Sequence, residues 1–544
     1  MTDISHNRAW RRPFLVYLGS LLVLAGCGPK NYKRDADERV YRIIDQKWQP
    51  EFGTKANYRI SDVTPGPSDT QRENAVPASG VVTLPYALSL ATAHNREYQT
   101  EKELLYQAAL DLRLVRHGYE TQLFGGGSVL YLNNGTDEAI QTEANAGFNR
   151  LLATGTQIGS QVAIAWAEVL AGSGNSGLTS IFSAIITQPL LRGSDRRVVL
   201  ENLTQAERNT LYQIRTFNRF RKTLAVAVAT QYFQALELED LIRNTQAYYD
   251  NLTALHGQVV KLVDAGLLPR FEADQVHQDV LRARDNLIMA QKEYERFLDQ
   301  FKLTLALPMT SEFRIDVGLL DALRAQGIPR PEFALNEAME TALLRRLDLV
   351  NSADAVLDAQ RGVYVAADGL RADLNLTVQV DANARGGRDV VAGPALDLPL
   401  DRVPEQHAYR KALIALEERR RNYDLLADTV RLEVREAHRK LVETSERYQV
   451  LAEEVDVARL RLKRTSALMR YGQASSRRVL DALNDSYDAR KAATDALVDY
   501  AIATLNFHRD TETLQVRPDG MWEQGPALPV SSTRTTANTF RETK

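Results

Sequence analysis

The sequence predicts a mainly α-helical protein with a β component, built twice within one chain. Three observations carry that expectation. Apolar residues recur in alternating steps of three and four over long stretches, the step drops to two at matching places, and a set of residues returns at a fixed offset.

The repeat shows in the residues themselves. Leu84, Ala87, Ala91, Glu97 and Ala108 return as Leu335, Ala338, Ala342, Asp348 and Ala359, each 251 positions on. Later in each half a glycine interrupts a long helical pattern, Gly266 and then Gly472, at an offset of 206. The offsets differ by 45, so the first half carries an insertion of that length, between about 121 and 189. Repeat 1 is assigned to 81–330 and repeat 2 to 331–510.

Helical periodicity is strongest around the two glycines. Val276, Val280, Ala283, Leu287, Ala290, Tyr294, Phe297 and Phe301 alternate steps of four and three. Leu441 to Met469 and Leu480 to Thr504 do the same, with Arg490 interrupting the second seam. A 3.5-residue period demands coiled-coil packing. The stretch from 192 to 263 allows some 70 residues of helix, on the order of 100 Å long. Helices of that length lie side by side.

Between helices the period becomes two. Leu374, Leu376, Val378, Val380 and Ala382 face one way; Asp373, Asn375, Thr377, Gln379 and Asp381 face the other. The hairpin so predicted runs from about 373 to 401. In the first half, Ile158, Val162, Ile164 and Trp166 oppose Gln157, Gly159, Gln161 and Ala163, within a second hairpin region at 121–190. Such alternation suits a membrane β-barrel strand, and equally a half-buried soluble strand. About two strands per half make about four per chain. Four cannot close a barrel with an open interior, and an open edge in lipid leaves unpaired backbone groups, so in a membrane other copies must complete the wall.

The N-terminus favours the membrane reading. Arg8, Arg11 and Arg12 precede an apolar run from Phe14 to Ala25, and the only cysteine follows at Cys27. A basic start, a short apolar core and small residues make a secretory signal over 1–26, too short for a spanning helix. Leu24-Ala25-Gly26-Cys27 resembles the bacterial lipobox, which makes Cys27 the expected site of acylation, and Gly28 behind it permits sorting to the outer membrane. Residues 27–80, with Thr64-Pro65-Gly66-Pro67-Ser68, read as an extended tether, and 511–544 as a flexible tail.

Chemistry is absent where an enzyme would need it. Eight histidines and six methionines do not cluster, and Gly125-Gly126-Gly127 lacks the lysine of a phosphate loop. Lys and Arg number 67 against 70 Asp and Glu, a net charge of -3 that offers no basic excess for nucleic acid. No catalytic group, metal or cofactor is expected.

Two helix–strand–helix repeats, each with a long helix, a glycine turn and a second long helix, resemble the TolC family of outer-membrane factors over roughly 80–510. Gly266-Leu267-Leu268-Pro269-Arg270-Phe271-Glu272-Ala273 fits the family's turn, and Gly472 leads likewise to Val479-Leu480-Asp481-Ala482-Leu483. The resemblance implies a homotrimer whose four strands per chain make a twelve-stranded outer-membrane barrel, continuous with a periplasmic helical coiled-coil barrel. It implies an exit duct for efflux or type I secretion, with a periplasmic adaptor and an inner-membrane pump docking at Gly266, Arg270, Glu272, Gly472, Arg477, Arg478 and Asp481. Asp373, Asn375, Gln379 and Asp381 become lumen residues. The second turn departs from the family pattern, with Arg478 where an acid is common and Asp481 three residues on. These charges either ring a gate or merely solvate a helix start, where a basic residue calls for a partner. The competing reading is a periplasmic coiled-coil scaffold or adaptor lipoprotein without a pore.

Overall fold

The computed structural model describes residues 29–60, 76–77, 79–133, 138–171, 177–328, 334–384, 386–398 and 400–524. Cys27, the signal segment and the last twenty positions lie outside them. The chain divides into two compact units, one of residues 1–48, 103–214 and 356–418, the other of 49–102, 215–355 and 419–544.

In chain order the elements are α1 (Pro29–Lys47), a 3-10 turn at Pro50–Phe52, β1 (Val81–Val82), α2 (Leu84–His94), α3 (Arg96–His117), β2 (Gln122–Asn133), β3 (Glu138–Leu151), β4 (Gln157–Ala171), β5 (Gly177–Pro189), α4 (Arg196–Val199), α5 (Glu201–Asp264), α6 (Arg270–Leu305), β6 (Arg314–Ile315), α7 (Gly318–Gln326), α8 (Leu335–Arg345), α9 (Leu347–Asp368), β7 (Asp373–Asn383), β8 (Arg388–Asp397), α10 (Val403–Arg470), α11 (Ser476–Asp510), β9 (Leu514–Val516) and β10 (Trp522–Gln524).

The first unit holds a six-stranded antiparallel sheet in the order β2-β3-β4-β5-β7-β8. The expectation of four strands is corrected to six: the stretch from 121 to 190 folds as two hairpins, not one. The difference has a local cause. β2 runs Phe124-Gly125-Gly126-Gly127-Ser128 before Val129-Leu130-Tyr131-Leu132, and β3 is rich in Ala, Asn and Gln, so neither alternates clearly in hydropathy. The 45-residue insertion is the trace they leave in the sequence. A side chain at Gly147 of β3 would stand 2.3 Å from the Ser160 carbonyl oxygen and 2.6 Å from the Phe124 ring, so that ring needs a glycine beneath it. In the second half β7 and β8 form the expected hairpin, with β8 ending at Asp397 rather than 401.

The same unit corrects the tether. Residues 29–47 are helical, and Val40, Ile43 and Ile44 are buried. Three apolar residues one turn apart suffice for a buried stripe although every other turn of α1 is charged. Tyr106 of α3 donates to the Asp37 carboxylate at 2.5 Å, and its ring meets Tyr41 edge-on at 5.7 Å. The proline- and glycine-rich residues at 64–68 lie outside the described residues.

In the second unit the predicted seams are the buried ones. Ala273, Val276, Val280, Ala283, Leu287 and Ala290 of α6 are buried, as are Leu441, Thr444, Ala458 and Met469 of α10 and Leu480, Leu483, Thr494 and Leu497 of α11. Arg490 is exposed, so the seam bends past it. The tail is corrected in part: Thr511 to Leu514 and Val516 are buried, and β9 pairs with β10. Glu512 anchors this stretch, accepting from Lys222 Nζ at 2.7 Å and Arg219 Nη1 at 2.8 Å. A carboxylate so placed would be costly to bury unpaired.

Glu237 of α5 is held differently. Burial, with Asp495 and Asp499 of α11 nearby, pushes its carboxyl from 4.5 up to about 7. The folded chain then binds this proton more tightly than the unfolded chain, so stability is lost as pH rises from about 4.5 to about 7. Glu237→Gln is expected to leave thermal stability near pH 4 unchanged and to raise it near pH 8 by on the order of 1 kcal/mol. An equal shift at both pH values would show that the carboxyl is not held protonated. At the turns, Gly266 and Gly472 take φ of 70° and 71°, with nothing within 4 Å of an added Cβ. Alanine at either is therefore expected to cost only the left-handed backbone penalty, about 1 kcal/mol, in a chemical melt. Gly147→Ala should cost more, because β4 backbone stands in the way.

Candidate channel wall and hairpin tips

Register assigns every strand residue of the sheet to one of two faces. One face carries Leu123, Val129 and Tyr131 of β2, Ile140 and Phe148 of β3, and Ile158, Val162, Ile164 and Trp166 of β4. It continues through Leu178, Phe182 and Ile186 of β5, Leu374, Leu376, Val378 and Val380 of β7, and Val390 and Leu396 of β8. Many of these are exposed: Trp166 is 41% accessible, Phe182 43%, Val390 58%. An apolar face this broad, left uncovered, marks a partner or lipid surface.

The other face is polar. Asp373, Asn375, Gln379 and Asp381, the residues expected to share a face, do so, together with Gln141, Glu143, Asn145, Gln161 and Ser183. Asp397 of β8, and Asp389, which sequence reasoning missed, stand directly opposite Asp373 and Asp381. Among the described strand residues this face carries no lysine or arginine; Arg150 and Arg388 lie on the apolar face. Phe124, Leu130, Leu132, Ile181, Ile185 and Val391 are interspersed on it. Opposed aspartates repel across a strand pair and are tolerated where water reaches them. Local hydrogen bonds order part of the surface: Ser183 donates to Asp381 at 2.5 Å, Gln379 to Asp381 at 2.9 Å and Asn375 to Asp373 at 2.8 Å.

The second unit brings the two glycine turns together. Each closes with the same hydrogen bonds: Leu267 N to Leu262 O and Gln473 N to Leu468 O, both 2.9 Å, with Gly266 and Gly472 donating one turn back. This is the αL helix ending that glycine permits. Glu272, in the first turn of α6, accepts a hydrogen bond from Ser476 at the start of α11. Beneath that link, Leu252, Leu255, Val259, Ala273, Val276, Val280, Met469, Val479, Leu480 and Leu483 form one core. Gly266, Glu272 and Gly472 are thus structural parts of one double tip.

Arg270, Arg477, Arg478 and Asp481 are exposed. Neither Arg477 nor Arg478 forms an ion pair within the chain among the described residues, and the same holds for Asp481. Beside them three large apolar side chains are open to solvent, Leu267 at 70%, Phe271 at 65% and Tyr471 at 81%. In the sequence these three carry no motif; only charge and glycine stand out at the turns.

No group of three or more His, Cys, Asp or Glu among the described residues is arranged to hold a metal ion. No helix among them is long and apolar enough to cross a membrane.

The sequence matches no protein-family model and no curated protein. Solved structures do match. The chain is similar to the Campylobacter jejuni CmeC outer membrane channel, with a TM-score of 0.57, 14% identity, and coverage of 88% of this chain and 93% of that one. It is similar to the open state of the Neisseria gonorrhoeae MtrE outer membrane channel at TM-score 0.57 and 14% identity, covering 79% and 88%. It is also similar to the outer membrane protein VceC of Vibrio cholerae at TM-score 0.56 and 13% identity, covering 82% and 98%. With its two-faced sheet and its glycine-turned hairpins, the chain has the fold of the TolC-type outer-membrane channels.

Proposed function

We propose that this protein is the exit duct of an efflux or secretion assembly in the outer membrane of a Gram-negative-type bacterium, working as a homotrimer and catalysing nothing. The observation that carries the reading is the sheet. One face carries large apolar side chains on all six strands, with Glu138, Arg150, Glu168 and Arg388 near strand ends, the opposite face carries Glu143, Asp373, Asp381, Asp389 and Asp397, and among the described residues β2 and β8 each pair on one side only. Lipid suits the first face and water the second, and only further copies close the wall.

The helices support the same assembly. On α10 the exposed Leu425, Leu432, Val450 and Val457 are 53% to 68% accessible and separated by 7, 18 and 7 residues, whole numbers of helical turns. Leu281 and Ile288 form a shorter exposed pair on α6. Stripes of this kind fit neighbouring copies. The exposed Leu267, Phe271 and Tyr471, with Arg270, Arg477, Arg478 and Asp481 around them, offer the docking surface for a periplasmic adaptor. Cys27 supplies the lipid anchor. Transport through such a duct is passive, and an inner-membrane pump supplies the energy, since no nucleotide or cofactor motif is present in the sequence.

Purified trimers in planar bilayers are expected to conduct in small, mostly closed steps that prefer cations. Neutralising Asp381 and Asp389 together should lower that preference by about twofold, because the acidic face then loses opposed charges. Arg478→Asp or Asp481→Ala should change step size if the tips ring a gate, and leave it unchanged if they only dock a partner. Inserted trimers that conduct nothing would remove the duct and favour a coiled-coil scaffold.

A further inference from the structure

We propose that the transmembrane wall has eighteen strands rather than twelve, with β2 of each copy paired antiparallel to β8 of the next. The inference rests on the trimeric duct and adds its width. Six strands from each of three copies give eighteen.

Two features of the inserted hairpin argue that it belongs to the wall. β3 pairs with β4 in register from Leu151 to Ala139, with a single irregularity at Glu138, so the hairpin continues the sheet without a fold. Its side chains follow the same division of faces: Leu123, Val129, Tyr131, Ile140 and Phe148 join the apolar side, and Gln122, Gln141, Glu143 and Asn145 the polar side, where Phe124, Leu130 and Leu132 are interspersed.

The edges also fit. The strands form an antiparallel meander of even number, so β8 runs opposite to β2 and a neighbour's edge can add without breaking the pattern. β2 has 12 residues and β8 has 10. β2 holds no proline and no charge, the devices that protect an edge meant to stay free. On β8, Pro394 removes one donor at most. In lipid, each edge group left bare costs several kcal/mol.

The consequence is a wider mouth. Strands about 4.8 Å apart and tilted about 45° give a wall roughly 40 Å across for eighteen, against about 26 Å for twelve. The lumen cross-section is then about double.

The test is disulfide trapping in outer membranes. Leu396→Cys is combined with Leu123→Cys or Val129→Cys on β2, or with Ile158→Cys or Val162→Cys on β4, all on the apolar face. Cys27 is the one native cysteine, and any contribution from it is read from the unmutated chain. After oxidation, covalent dimers and trimers are expected from a β2 pair and not from a β4 pair. Ladders from a β4 pair would overturn the proposal, because the hairpin would then lie outside the wall. Amine cross-linking on the same membranes counts the copies. Trimers without any β2 ladder overturn the eighteen-stranded wall and leave the duct; monomers throughout overturn both.

Discussion

A peptide group has nowhere to find a hydrogen bond in hydrocarbon except on another peptide group. Nearly everything in the first unit answers to that constraint. It demands strands long enough to cross, side chains sorted by face and edges that find partners. One chain meets the first two demands, with strands of 10 to 15 residues and two faces of unlike character, and in the proposed assembly the third falls to its neighbours. In the proposed wall the polar face is the one that meets water, because lipid lies outside.

The helical unit solves a different problem. Its helices bury one seam inside the chain and leave a second exposed, so a protomer is well packed and still incomplete. Buried carboxylates are handled in two ways: Glu512 is held by Lys222 and Arg219, while Glu237 is buried near Asp495 and Asp499 and takes up a proton more readily. One arrangement ties the chain terminus down; the other makes stability respond to acidity.

Much of this was legible in the sequence, and the exceptions have physical causes. The seams of α6, α10 and α11 were readable because a 3.5 period over thirty residues leaves little ambiguity. Asp373 to Asp381 were readable because β7 alternates cleanly. β2 and β3 were not, since glycines and small amides carry almost no hydropathy signal, and only the mismatch of repeat offsets betrayed them. α1 was misread because its buried stripe is three residues wide in a charged helix. Glu512 looked like tail composition until Arg219 and Lys222 were seen beside it, some 290 positions away. Leu267, Phe271 and Tyr471 carry no motif at all; only their exposure marks them.

The two glycine turns share a hydrogen-bond frame and differ in charge, with Glu272 where the other has Arg478. In the proposed ring of three copies that difference would turn six similar turns into two alternating sets. A partner recognising tip shape alone could seat six times around the rim. One that distinguishes Glu272 from Arg478 could seat only three times. In the proposed assembly that one difference between the two turns would set a stoichiometry, and with it the symmetry of any partner seated beneath the duct.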